Sequence, residues 1–161
     1  MKPLGCWCLM VALAGCTDEK QDATPTTPDP GEEICGHVED QGTPLDAAAT
    51  AADAPALTVS EMPYTVTLPE AQTGYEGFVE IAGPGAVLLF VGQSAVATAL
   101  SEGEAGADVL PVPAPNEHCP EQIPEHFDLE LGSADYTLQL GPTSSPTVWL
   151  ALTDATGHVH E

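Results

Sequence analysis

The chain has 161 residues and a formal net charge of −23, with 25 acidic residues against two lysines and no arginine. That balance excludes recognition of a nucleic-acid backbone, which needs Lys or Arg to neutralise phosphate. It argues equally against anionic substrates and against electrostatic docking on acidic lipid; such a field attracts cations, or merely keeps the chain soluble and self-repelling.

Met1-Lys2 is a minimal basic start, and residues 4–14 form an apolar run. The run falls well short of the roughly 18–20 residues needed to span a bilayer, and it suits the hydrophobic region of a signal peptide. The other reading is a buried N-terminal helix that ends in a free cysteine. Leu13-Ala14-Gly15-Cys16 resembles the lipobox of bacterial lipoproteins. The resemblance implies that residues 1–15 are a signal peptide that is removed, taking Cys6 and Cys8 with it. Cys16 would then receive a diacylglycerol thioether and become the acylated mature N-terminus. In Gram-negative lipoproteins Asp after the cysteine is the usual inner-membrane retention signal, and here Thr17 stands there. The expected location is therefore the outer membrane, periplasmic or surface face. More than one acyl chain gives stable anchoring. Without Lys2, Lys20 is the only base left.

Residues 17–33 contain three prolines, many acids and threonines, and no aliphatic or aromatic core residue. Residues 16–33 therefore read as the lipidated cysteine and a flexible tether. If mostly extended, the tether could hold a domain ~50 Å from the membrane, at about 3.1 Å per residue. The folded domain is expected over residues 34–161, enough chain for one domain with its own core. Cys35 and Cys119 are an even pair in an oxidising compartment. A disulfide between them would close a loop of about 85 residues, worth roughly 4–5 kcal/mol in the chain-entropy model. Two free thiols or two metal ligands are the alternatives.

Residues 46–54 are alanine-rich and could make two helical turns, a length that is marginal unless packed; an irregular extended segment is the default. From Leu57 onward the pattern is β. Tyr64, Val66 and Leu68 alternate with threonines, and Tyr75, Val79 and Ile81 share one parity. Residues 86–91, Ala-Val-Leu-Leu-Phe-Val, are continuously apolar, as in a strand buried on both faces. Residues 95–100 and 107–112 are weaker candidates. Phe127, Leu129 and Leu131 alternate with Asp128 and Glu130; Tyr136, Leu138 and Leu140 with Thr137 and Gln139; Val148, Leu150 and Leu152 with Trp149 and Ala151. Glycine-rich turns separate these runs. Residues 112–124 hold four prolines and Cys119 and read as a rigid loop. Seven or eight short strands at this spacing predict an all-β fold, a single antiparallel β-sandwich of jelly-roll type.

The run Gly132-Ser133-Ala134-Asp135-Tyr136-Thr137-Leu138-Gln139-Leu140-Gly141, with Gly83-Pro84-Gly85 before the apolar strand, resembles the bacterial pre-peptidase C-terminal domain. The resemblance covers about residues 64–153. It implies a β-sandwich without catalytic residues of its own, which usually accompanies an enzyme on the same chain.

No phosphate loop, His-Glu-x-x-His, Gly-x-Ser-x-Gly or dinucleotide fingerprint is present; Ser94 follows Gly92-Gln93, but Ala95-Val96 breaks the elbow. No catalysis is expected. The histidines offer a chemistry. His37 is two residues from Cys35 and His118 adjoins Cys119, so a disulfide would draw both into one neighbourhood. His126 has the outward parity of Asp128 and Glu130. His158 and His160 share one side of an extended segment, and Glu161 could add oxygen. Imidazole with carboxylate suits Zn(II), Cu(II) or Ni(II). The candidate ligands are His37, His126, His158 and His160, with His118 a fifth. Each has a plainer reading: a solvated tail for His158 and His160, a surface histidine for His126, local hydrogen bonding for His37 and His118. Glu102, Glu104 and Asp108 could hold calcium loosely. The expectation is a lipid-anchored, non-catalytic envelope binding module that chelates zinc or copper. The alternative is a scaffolding or adhesion module that binds another envelope protein without metal, with Phe78 or Trp149 as contacts.

Overall fold

Tyr64 and Val66 point one way from their strand and are buried, while Thr65 and Thr67 point the other way; that alternation sets the whole molecule. The computed structural model describes residues 29–83, 85–103 and 106–155. Cys16, Lys20, Glu104, His158, His160 and Glu161, with residues 1–15 expected as a signal peptide and most of the expected tether, lie outside the described residues.

The chain enters through a helix, α1 (Pro30–Cys35). Eleven strands follow among the described residues. In chain order they are β1 (Thr43–Asp46), β2 (Ala56–Leu57), β3 (Tyr64–Thr67), β4 (Glu70–Ala71), β5 (Gly74–Ala82), β6 (Gly85–Val91), β7 (Ala97–Glu102), β8 (Ala114–Pro115), β9 (Glu125–Leu131), β10 (Asp135–Thr143) and β11 (Thr147–Asp154). They form two sheets. One has the order β1-β3-β11-β6-β9-β8; the other has β2-β5-β10-β7, with β4 added beside β5. The all-β sandwich read from the alternating pattern is the observed architecture. Its long strands pair antiparallel. Two short edge pairings, β1 with β3 and β2 with β5, are parallel, so both sheets are mixed.

The core between the sheets is apolar. Val66, Leu89, Phe127, Leu129, Leu150 and Leu152 of the first sheet meet Val79, Ile81, Leu100, Leu138 and Leu140 of the second. Each fully buried side chain of this kind contributes roughly 1.5–3 kcal/mol. The seven long predicted strands are present, with ends shifted by a few residues. Residues 107–112 are not a strand: Asp108 makes a single bridge to Ser101 and the chain then leaves the sheet. Residues 46–54, read by default as irregular and extended, hold the end of β1, a bridge from Ala48 to Phe78 and a one-turn 3-10 helix, Ala51–Asp53; the other reading, two α-helical turns, does not form.

A second, smaller apolar cluster lies on the outer face of the first sheet. Leu88, Phe90 and Ala151 pack there against Ile34 of α1 and Ile123 of the loop before β9. This explains the unbroken apolar run 86–91. Val87, Leu89 and Val91 face the sandwich interior, and Leu88 and Phe90 face the cap. Helix α1 begins at Pro30, ahead of the expected domain start at Ile34. Residues 30–33, read as tether, are helical: Pro30 occupies the first turn, where its missing N–H costs nothing, and the Asp29 carboxylate caps Gly31 N–H at 2.8 Å.

Candidate functional site

A six-residue helix is marginal by itself, so the covalent link beside it matters. Cys35, at the end of α1, is bonded to Cys119, with their Cα atoms 5.9 Å apart. Both sulfurs are thereby committed, and neither cysteine is a free thiol or a metal ligand. Asn116, 2% exposed, locks the junction. Its amide nitrogen points at Cys119 Sγ (3.4 Å) and Cys35 Sγ (3.6 Å), and its carbonyl accepts from the His118 N–H (3.1 Å). Gly31 sits against this knot, where a Cβ would lie 3.2 Å from the Asn116 carbonyl oxygen and from the His118 ring.

Between the cap and the sheet runs a groove of about 470 Å³. Leu88 and Phe90 are its apolar floor; His118, His126, Asp29, Glu117 and Asp128 supply its polar lining. His126 stands opposite Phe90 in the β6–β9 register, and the two rings lie 5.4 Å apart, tilted by 34°. His126 Nε2 is 3.9 Å from Asp128 Oδ2, while its Nδ1 is buried without a hydrogen-bond partner among the described residues. His118 Nε2 lies 3.4 Å from Asp29 Oδ1. Ala155, the last described residue before the histidine-bearing tail, also borders the groove.

The sequence-predicted histidines therefore divide. His118 and His126 share the groove. His37, expected near His118 because of the disulfide, lines a different cleft with Glu33 and Glu61 and is hydrogen-bonded through Nδ1 to Asp40 at 2.7 Å. Proximity along a cross-linked backbone did not make the two imidazoles face one another. His158 and His160 lie outside the described residues. Among the described residues no group of three or more His, Cys, Asp or Glu is arranged to hold a metal ion. Sequence reading missed Asp29, Glu117 and Asn116, whose loop positions carry no periodic signal.

Asp108, considered above for calcium, has a local task instead. Its Oδ1 accepts from the Leu100 N–H and the Leu110 N–H, each at 3.0 Å. Those two bonds hold its pKa below the ordinary value of 3.8. Phe78 and Trp149 are both half-buried, and Trp149 packs on the outer apolar cluster. No protein-family model matches the chain, and no curated protein matches it.

Proposed function

We propose that the chain is a cell-envelope lipoprotein whose stapled sandwich is a non-catalytic binding module for a divalent transition metal, Zn(II) or Cu(II). The observation that carries this reading is that His118, His126 and Ala155 border one groove. His158 and His160 follow Ala155 by three and five residues, so covalent length keeps their Cα atoms within about 11 and 18 Å of its own. Two imidazoles on a rigid frame and two on a short leash can supply the three or four donors a zinc site takes. Asp29 and Asp128 stand 3.4 and 3.9 Å from Nε2 of His118 and His126, and a carboxylate beside a metal-bound imidazole orients its ring. His37, in its own cleft, is left out of this set.

Calorimetric titration of lipid-free chain 17–161 with Zn(II) or Cu(II) tests the reading. A single saturable event is expected, weakened about tenfold or more by His126→Ala and by removal of residues 158–161. Acidification should weaken it further, because imidazole binds metal as the neutral base. Absence of saturable heat with either ion overturns it. The alternative, an envelope scaffolding or adhesion module without metal, draws on a different observation: Val109 and Val112 are exposed apolar side chains on the proline-rich loop. The anchoring part of the proposal is tested by mass spectrometry of the mature protein, where residues 1–15 should be missing and Cys16 should carry acyl mass.

A further inference from the structure

Strand β9 is second from the edge of its sheet, yet among the described residues most of its outer side has no strand paired to it. β8 pairs only with Glu125 and His126. The ladder shows which groups this leaves unpaired. Gly92 N–H to Trp149 O and Ala155 N–H to Ala86 O put the even-numbered residues at β6 in bonds to β11. The odd-numbered residues of β6 therefore bond to β9, and their partners there are also odd-numbered. The even-numbered residues of β9 direct their N–H and C=O groups to the other side. His126 meets Ala114 there; Asp128 and Glu130 have no main-chain partner on that side among the described residues.

The missing neighbour has a sequence cause. Continued in register, β8 would bring Val112 opposite Asp128, but prolines 111 and 113 flank it and cannot donate to a ladder. Pairing with β9 accordingly stops at Ala114, and Val112 is 90% exposed. A groove of about 290 Å³ remains beside the open edge. Leu100, Val109, Leu129 and Leu131 make it apolar, and Glu102, Asp128 and Glu130 make its rim acidic.

We infer that the open edge of β9 from Asp128 to Leu131 is a strand-addition site for an extended peptide segment of a partner protein in which Lys or Arg alternates with apolar residues. Added strands recognise main chain through the free N–H and C=O groups and side chains through their alternation. Partner residues opposite Asp128 and Glu130 project on the outer face beside these carboxylates, where a base is favoured. The residues between them project into the apolar groove. No Lys or Arg occurs among the described residues to neutralise this edge; His126 Nε2 stands 3.9 Å from Asp128. For the same reason a second copy of the chain is repelled: its strands would set acid against acid. The inference does not depend on metal binding, although Asp128 borders both grooves.

The probe is the synthetic peptide Thr-Lys-Val-Lys-Val-Lys-Thr, added with a chelator to lipid-free chain 17–161. Its controls are the block isomer Thr-Lys-Lys-Lys-Val-Val-Thr and the glutamate analogue Thr-Glu-Val-Glu-Val-Glu-Thr. Saturable binding is expected that slows amide exchange at Asp128 and Glu130, weakens with salt and is at least about tenfold weaker for either control. Asp128→Lys with Glu130→Lys should reverse the preference toward the glutamate analogue; because the Asp128 side chain is 73% exposed, that variant should fold. Equal binding of the block isomer, or binding without protection of those two amides, overturns the inference. So does absence of binding. Because chelator is present throughout, none of these outcomes bears on the metal titration.

Discussion

Asp108 does at the level of one carboxylate what a strand would do at the level of an element. It satisfies the Leu100 N–H at the exposed edge of β7 and the Leu110 N–H of the following loop. The charged form accepts those bonds best, so folding holds the carboxyl below its ordinary pKa. A group depressed in this way adds stability above its unfolded pKa and loses it as pH falls through the folded value. Thermal unfolding should therefore show an acid-side decline below about pH 3.8 that flattens in Asp108→Asn, whose amide oxygen still accepts but does not titrate. A variant with an unchanged pH profile would mean that other carboxylates carry the decline. Asp108 was legible in the sequence only as one acid in a glycine-rich turn; the two N–H groups it serves come from both sides of that turn.

At the scale of elements, the instructive case is the cap. Strand β6 was legible as buried on both faces, because six apolar residues in a row leave neither parity for water. What covers its outer face was not legible. The covering helix α1 begins in residues whose prolines and acids read as tether, and only Ile34 of its own residues enters the outer apolar cluster. The disulfide supplies what so short a helix cannot. It should restrict the unfolded chain by about 4–5 kcal/mol for a closure of this length. Reduction, or Cys35→Ser with Cys119→Ser, should lower the urea midpoint accordingly and raise binding of a hydrophobic dye as Leu88, Phe90 and Ile123 lose their cover. A reduced protein with an unchanged midpoint would show that packing alone retains the cap. The histidines follow the same rule. Parity placed His126 outward, but the outer cluster half-covers it, and it shares a groove with His118 and not with His37.

For the whole molecule, 25 acidic residues against two lysines make self-repulsion a standing cost of folding. Raising NaCl from about 0.01 M to about 1 M shortens the Debye length from about 30 to about 3 Å. The melting temperature should rise over that range; a flat profile would show that the carboxylates are too far apart in the folded state to repel. The same charge, with Pro44 in β1 and Pro115 in β8, guards the sheet edges against identical copies.

The sequence by itself determined the fold class, the sites of the long strands and the double burial of β6, and it offered a Cys35–Cys119 disulfide as one reading of that pair. The first three follow from period-two alternation, which is local; the disulfide stood beside free thiols and metal ligands until the fold brought the two Cα atoms to 5.9 Å. Only the tertiary structure decided the two parallel edge pairings, the helix that closes the outer face, the open edge of β9 and the company each histidine keeps. Those depend on which distant segments become neighbours, and alternation along a strand fixes which way a side chain points without fixing what it meets.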